Sequence, residues 1–168
     1  MIATSIPQDG QLAPLGTITE AQFDEIFGIN VKGLLFTVQK ALPLFHDGGS
    51  IILNASVGAS KGVGSTSVYS ATKAAIRSFA RTWTVDLKAR KIRVNAISPD
   101  PIDTPIFNSV AHTEEEIKQI KANLVAAVPM GRMGSPDEIA KAVSFLASDD
   151  SSYITGIELF VDGGMAQI

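Results

Sequence analysis

Helical spacing of apolar residues and three capping sequences predict four helices. Thr19, Thr113 and Ser135 are each followed three residues later by Gln or Glu. In such a capping box, the hydroxyl accepts a hydrogen bond from a free backbone N–H, and the Gln or Glu reaches back to the cap. Pro43 ends the first helix, because proline cannot continue the backbone hydrogen bonding. The predicted helices span residues 19–42, 67–89, 113–126 and 135–147.

Three short apolar runs between these helices predict β-strands, over residues 50–55, 91–97 and 157–161. Strands that alternate with helices are typical of a parallel sheet with helices packed on its faces. A chain of 168 residues is also long enough to bury one sizeable core. The sequence therefore predicts a single α/β domain over residues 1–168, built on a small parallel sheet.

The composition excludes several classes of function. The net charge of −3 gives no basic surface for nucleic acid. The chain has no cysteine, so disulfides and thiolate chemistry are excluded. No apolar run approaches the roughly 18 residues of a membrane span, and residues 1–6 do not have the pattern of a signal peptide. We expect a cytoplasmic protein that binds neither nucleic acid nor membrane.

The residues that point most strongly to a chemistry are Ser56, Tyr69 and Lys73. Tyr69 and Lys73 are four positions apart on a predicted helix, so both side chains can face one site. A neighbouring cation favours phenolate, and we expect Lys73 to lower the pKa of Tyr69 from its usual value of about 10. Ser56 follows the first strand and can place a hydroxyl beside the phenol. Such a set can bind and protonate a carbonyl oxygen, although a tyrosine and a lysine at this spacing are by themselves a weak signal.

Further motifs surround these three residues. In their order and spacing they resemble the short-chain dehydrogenase/reductase family, in particular its classical subfamily, from about residue 11 to the C-terminus. The resemblance implies a partial Rossmann-like, doubly wound fold and an NAD- or NADP-dependent oxidoreductase that acts on a ketone or secondary alcohol. The matching motifs are Asn30 within Phe27–Gly33, Arg93–Pro99, Ile102–Pro105, Ile154–Gly156 and Val161–Gly164.

The resemblance also implies a role for individual residues. Tyr69 would act as acid and base, Ser56 would bind the carbonyl oxygen, and Lys73 would bind the nicotinamide ribose. Asn30 would support a water molecule that relays protons to Lys73. The implied catalytic residues are Asn30, Ser56, Tyr69 and Lys73, and the implied cofactor-binding residues are Tyr69, Lys73, Pro99, Ile102 and Thr104.

The chain departs from the family pattern at two places. Residues 1–10 match no family motif, and the glycine-rich turn with which the family begins is not found, so the chain looks like the C-terminal two-thirds of such an enzyme. Asp100 follows Pro99 where the family usually has glycine, and it adds bulk and a negative charge beside the expected nicotinamide site. Residues 99–130 are expected to form the variable lid over the substrate.

Other motifs have simpler interpretations. Gly58–Gly64 fits the spacing of a phosphate-binding loop only weakly and is better explained as the loop beside Ser56. Glu114, Glu115 and Glu116 favour the N-terminus of a helix rather than a metal. No histidine has the spacing of a metal ligand, so no metal site is expected.

Two alternatives to the oxidoreductase remain open at this stage. The first is a catalytically silent fragment that serves as an oligomerising or binding module, because the two long helices resemble those that the family uses for oligomer contacts. The second is a cofactor-independent hydrolase based on Ser56, although the sequence places no histidine or acid to activate it. The expected partners are a small carbonyl or alcohol substrate and further copies of the chain, in a homo-oligomer.

Overall fold

The computed structural model of the protein describes residues 13–111 and 113–168. The residues 1–10 that match no family motif lie outside this description, as does His112. The helices are α1 (Glu20–Phe27), α2 (Leu34–Ala41), α3 (Ser67–Asp86), α4 (Phe107–Val110), α5 (Glu114–Ala127) and α6 (Pro136–Ala147). The strands are β1 (Ser50–Asn54), β2 (Arg93–Pro99) and β3 (Glu158–Val161).

The three strands form one parallel sheet in the order β1-β2-β3, which confirms the predicted fold class. Ser50 pairs with Arg93 and Asn54 with Ile97 along β1 and β2, and Ala96 pairs with Glu158 at the start of the β2–β3 ladder. Because all three strands run the same way, their carboxyl ends meet at one edge of the sheet. Binding sites in open parallel sheets form at that edge.

Each face of the sheet is covered by helices, since successive side chains of a strand point to opposite faces. Ile51 and Leu53 of β1 pack with Val94 of β2 against α2 and α3. Ile52 of β1 and Ile97 of β2 point the other way and pack against α6. All five of these side chains are almost completely buried. The two cores fix the positions of α3 and α6 relative to the carboxyl ends of β1 and β2.

The first predicted helix differs from the expectation in its middle. The chain is helical from Glu20 to Ala41, but Gly28–Gly33 forms a π-helical turn between α1 and α2. Such a turn inserts an extra residue and is frequent at functional sites. It contains Asn30, whose side chain is completely buried. Spacing arguments based on a regular helix could not predict this local change.

The three predicted capping boxes are confirmed at Thr19, Thr113 and Ser135, where the cap hydroxyl and the Gln or Glu three residues later both form their hydrogen bonds. The short helix α4 was not predicted, and β2 covers residues 93–99 rather than 91–97. Of the described helices, none combines the length and the apolar character that a membrane span requires.

Candidate active site

Ser56 lies just beyond the carboxyl end of β1, where the chain leaves the sheet. Its backbone is extended, and its Oγ accepts a hydrogen bond from Gly58 N at 3.2 Å, which caps the short turn that follows. The residue is 6% exposed. A serine in this position is held by its own loop, yet its side chain lines the cavity described below.

Tyr69 and Lys73 lie in the first two turns of α3 and face the same site, as their spacing predicts. The Nζ atom of Lys73 lies 5.4 Å from the centroid of the Tyr69 ring. It also donates a hydrogen bond to the Asn54 carbonyl oxygen at 3.1 Å, at the end of β1. The Lys73 side chain is completely buried. The lysine therefore joins the start of α3 to the strand that leads into Ser56.

The protonation of this pair differs from the expectation. Burial raises the pKa of Tyr69, a hydrogen bond from Ser56 opposes this, and the charge of Asp100 raises it further. Burial also lowers the pKa of Lys73 from 10.5 to about 8. The prediction that the Tyr69 pKa is lowered is therefore wrong, because desolvation by burial is the largest influence on it and favours the neutral phenol. At neutral pH Tyr69 is a phenol and can donate a proton.

Asn30 approaches this pair through a residue that the sequence analysis did not single out. Its Nδ2 donates to Thr72 Oγ1 at 3.1 Å, and Thr72 Oγ1 donates to the Tyr69 carbonyl oxygen at 2.7 Å. The Oδ1 atom of Asn30 is buried and accepts no hydrogen bond from the described residues. A buried acceptor of this kind normally binds an ordered water molecule. The only feature of the sequence that could have indicated this role of Thr72 is its position between Tyr69 and Lys73.

Ser56 and Tyr69 open into a cavity of about 490 Å³ at the carboxyl edge of the sheet. Pro99, Ile102 and Thr104, the residues implied to contact nicotinamide, line the same cavity. Lys73 is not part of the lining and lies behind the Tyr69 ring. Most of the remaining wall is apolar and includes Ile52, Ile97, Phe107, Leu124, Ile139 and Val143.

Asp100 is the unusual residue of this site. It lines the main cavity and also a second cavity of about 280 Å³. Burial and, to a lesser degree, the charge of Asp162 raise its pKa to about 6. Asp162 itself accepts hydrogen bonds from Gly164 N at 2.9 Å and Ala166 N at 2.7 Å. A carboxylate thus stands beside the phenol where the family pattern has only a glycine.

The glycine-rich loop after Ser56 packs against α3. A side chain at Gly58 would approach the Ser70 hydroxyl oxygen to 3.0 Å, so glycine allows close contact between the loop and the helix. This packing supports the interpretation of Gly58–Gly64 as the loop beside Ser56. Within residues 13–111 and 113–168, no group of three or more His, Cys, Asp or Glu side chains is arranged to hold a metal.

The lining residues have the chemical character that a nicotinamide ring could contact. A flat ring requires an apolar cleft at the carboxyl ends of parallel strands, and the Pro99 and Ile102 side of the cavity provides one. The phenol of Tyr69 lines the same cavity, and the buried ammonium of Lys73 lies 5.4 Å from the centroid of its ring.

Comparison with known proteins agrees with this geometry. A sequence model of the enoyl-(acyl carrier protein) reductase family matches residues 2–166. Oxidoreductase asL5 of Sarocladium schorii is 46% identical over 161 residues, which cover 95% of this chain and 63% of that protein. A diacetyl reductase [(S)-acetoin forming] of Staphylococcus aureus is 38% identical over 164 residues, which cover 93% of this chain and 64% of that protein.

The fold is shared with solved structures. The angucycline C-6 ketoreductase LanV, solved with bound NADP, superimposes with a TM-score of 0.86 at 27% identity. The match covers 97% of this chain and 61% of LanV. The chain thus spans somewhat less than two thirds of the length of the proteins that it matches. From the family match, the similar oxidoreductases and the shared parallel sheet, we conclude that the chain belongs to the short-chain dehydrogenase/reductase family.

Proposed function

We propose that the protein is an oxidoreductase that uses NAD or NADP to interconvert a ketone and a secondary alcohol. The observation that carries the proposal is the cavity in which the hydroxyls of Ser56 and Tyr69 face an otherwise mostly apolar wall, with Lys73 behind the phenol. Two hydroxyl donors at one end of an apolar cavity suit a carbonyl oxygen whose negative charge grows during reduction.

In this mechanism Tyr69 is the general acid. Its raised pKa keeps the proton on the phenol at neutral pH, so that it can donate a hydrogen bond to the substrate oxygen. Ser56 donates a second hydrogen bond to the same oxygen. When Tyr69 loses its proton, the buried ammonium of Lys73 stabilises the phenolate. In the alcohol direction the phenolate accepts the proton back.

Asn30 is proposed to bind the water molecule through which protons are relayed to Lys73. Its buried Oδ1 atom is the acceptor, and the hydrogen bond of its Nδ2 atom to Thr72 fixes the orientation of the amide. A water molecule on Oδ1 would connect this amide with the region of Lys73. Asn30 is the buried residue of the π-helical turn Gly28–Gly33.

The nicotinamide cofactor supplies the hydride when it is bound. Pro99, Ile102 and Thr104 would contact its nicotinamide ring and carboxamide, and Tyr69 and Lys73 would bind the ribose. The one glycine-rich loop before a described helix, Gly58–Gly64, packs beside Ser56 and α3 and is not proposed to bind the pyrophosphate. We therefore expect the 168-residue chain to bind NADH and NADPH with dissociation constants well above the micromolar range.

The experiment that tests the proposal is an oxidation assay with millimolar NADH or NADPH and diacetyl, the substrate named for the relative of 38% identity. Diacetyl-dependent loss of absorbance of the reduced cofactor would support the oxidoreductase. Absence of turnover with both cofactors, together with an intact fold, would instead support the catalytically silent module. Hydrolysis of an ester without any cofactor would support the hydrolase, although none of the described residues that line the cavity is a histidine.

Replacing Ser56 with Ala is expected to lower the rate of diacetyl reduction about 10²–10³-fold, because the substrate oxygen loses one of its two donors. Cofactor affinity should change little, since Ser56 is proposed to contact the substrate only. Titration of the reduced cofactor and initial rates, measured on the same preparation, separate the two effects. Ser78→Ala, on α3 but outside the cavity lining, is the matched control. A tenfold loss of cofactor affinity in Ser56→Ala would contradict the proposed role.

We further propose that the protein is a cytoplasmic homo-oligomer. Phe23 of α1, Phe36 of α2 and Val85 of α3 are 45%, 43% and 61% exposed, which is unfavourable for large apolar side chains. The edge of β1 is also unpaired among the described strands. Contact with a second copy would bury apolar surface of these helices.

Sedimentation velocity at tens of micromolar should show a dimer or larger species. Phe36→Lys is expected to shift the distribution toward monomer, whereas Lys32→Met should not, because it adds no charge to an apolar contact. A well-folded monomer of the unchanged chain at this concentration would contradict the proposal.

A further inference from the structure

We propose that Asp100 determines the substrate class of the cavity by binding a hydrogen-bond-donating group, most strongly an ammonium, on the carbonyl or alcohol substrate. Carboxylate and phosphate substrates are excluded by the same side chain. The inference rests on the proposed function, since it specifies what enters the cavity of Ser56 and Tyr69.

The charge of the cavity depends on this one residue. Of the described residues that line it, only Asp100 and Tyr69 can ionise, and no Lys, Arg or His is among them. Tyr69 is a phenol at neutral pH. The other polar side chains of the lining are neutral, namely Asn54, Ser56 and Thr104. An ionised Asp100 therefore gives the cavity wall its only charge.

The Asp100 carboxylate also lacks a partner of its own. Its side-chain oxygens form no hydrogen bond or ion pair with another described residue, and the residue is half-buried at the cavity wall. Partial desolvation makes the charged form of this carboxylate less favourable, and a ligand that supplies an N–H or O–H relieves that cost. The carboxylate is thus a polar group directed at a ligand within an apolar cavity, which is how binding sites obtain specificity.

The charged groups around Asp100 are engaged elsewhere. Asp162, beyond β3, accepts two backbone hydrogen bonds and repels Asp100. In the second cavity, Arg132 binds Glu138 at 2.7 Å. Lys73 on α3 lies behind the Tyr69 ring and donates to the Asn54 carbonyl oxygen. Neither Arg132 nor Lys73 lines the main cavity, so neither neutralises the Asp100 carboxylate within it.

The position of Asp100 relative to Tyr69 sets the geometry of the substrate. Asp100 and Tyr69 line the same cavity, and the negative charge of Asp100 contributes to the raised pKa of Tyr69. A substrate whose carbonyl oxygen binds Tyr69 and Ser56 can reach Asp100 with a substituent close to that carbonyl. Amino ketones and hydroxy ketones, and the alcohols derived from them, have this arrangement.

The test uses three compounds that share a six-membered carbon ring and carry a positive, a neutral or a negative polar group: cyclohexylamine, cyclohexanone and cyclohexanecarboxylate. Each is titrated into the whole chain without cofactor, at about pH 7, and binding is followed by the NMR shifts of the cavity amides. At this pH Asp100, with a pKa of about 6, is mostly ionised. Asp100→Asn removes the charge with little change of shape. Asp103→Asn is the matched control, because Asp103 is exposed, pairs with Lys121 and does not line the cavity.

The ammonium should bind the unchanged chain at least about tenfold more tightly than the carboxylate. That preference should disappear in Asp100→Asn, persist in Asp103→Asn and shrink at about pH 5, where Asp100 is protonated. Cyclohexanone should bind all three proteins alike. A carboxylate that binds as tightly as the ammonium, a preference that survives in Asp100→Asn, or failure of all three compounds to bind would overturn the inference. Because no step of this test requires turnover, its result is independent of whether the oxidoreductase assay succeeds.

Discussion

Replacement of Tyr69 by Phe is expected to lower the rate of diacetyl reduction about 10²–10⁴-fold, the usual contribution of a positioned general acid. The substitution removes only the phenolic O–H, so the ring that lies 5.4 Å from Lys73 Nζ stays in place. Without that O–H, the only hydroxyls that the described lining residues still offer to the developing alkoxide are the weakly acidic ones of Ser56 and Thr104. Initial rates at saturating substrate measure the loss directly.

The chain contains a second tyrosine that serves as a matched control. Tyr153 is fully exposed and lies outside the cavity, so Tyr153→Phe should leave the rate unchanged. Circular dichroism spectra that coincide for both variants and the unchanged chain would show that the fold is intact. Full activity in Tyr69→Phe would mean that the site has been assigned to the wrong residues.

Replacement of Lys73 by Met is expected to have opposite effects on stability and on function. Burial lowers the pKa of Lys73 from 10.5 to about 8, so the folded protein carries this ammonium at a cost. A shift of this size corresponds to about 3 kcal/mol. The hydrogen bond to the Asn54 carbonyl oxygen offsets about 1 kcal/mol of this cost of burial. Near neutral pH, Lys73→Met should therefore raise the free energy of unfolding by about 2 kcal/mol.

The sign of this effect follows from the order of the two pKa values. Below pH 8 the ammonium is present in the folded and the unfolded chain, and the cost of burying it is complete. Between pH 8 and 10.5 the folded chain loses the proton first, so the cost fades and the unchanged chain gains stability. The advantage of Lys73→Met should therefore shrink over this range. Urea unfolding at several pH values measures it.

The functional effect of Lys73→Met should be a loss in both turnover and cofactor affinity, because one ammonium is proposed to serve the phenolate and the ribose. Lys40→Met on α2, where the lysine is exposed, should change neither stability nor activity. A destabilised Lys73→Met that retains activity would contradict the account, since it would make Lys73 a structural residue only.

Short-range sequence patterns were sufficient to predict much of the fold. Each capping box depends on residues three positions apart, and all three form as predicted. The helical spacing of Tyr69 and Lys73 placed both on one face of α3, as the contact between them shows. The parallel sheet followed from the alternation of strands and helices. These features depend on short-range stereochemistry, which the sequence expresses directly.

The features that the sequence did not reveal depend on tertiary burial. The pKa of Tyr69 is raised rather than lowered because its environment excludes water, and burial is not visible in the spacing of two residues. The hydrogen bond from Asn30, in the π-helical turn Gly28–Gly33, likewise reaches Thr72, which lies 42 positions away in the sequence. Long-range contacts therefore set the protonation and orientation of residues whose identity was predictable.

At Asp100, the effect of a departure from the family pattern depends on the surroundings that the structure gives the residue. In the sequence it was only an extra charge in place of a glycine. The structure places this charge in a cavity whose other described lining residues carry none at neutral pH, and next to the phenol proposed as the acid. Its identity was visible in the sequence, but the lack of a cation among the described residues that line the main cavity was not.

The most direct test of the central claim is the transfer of deuterium from the cofactor to the substrate. The chain is incubated with diacetyl and millimolar NADH or NADPH that carries deuterium at C4 of the nicotinamide, and the acetoin is examined by mass spectrometry. The account predicts deuterium on the new carbinol carbon, from one face of the nicotinamide only, and its loss in Tyr69→Phe but not in Tyr153→Phe. Acetoin without deuterium, or no acetoin from a folded chain with either cofactor, would contradict it.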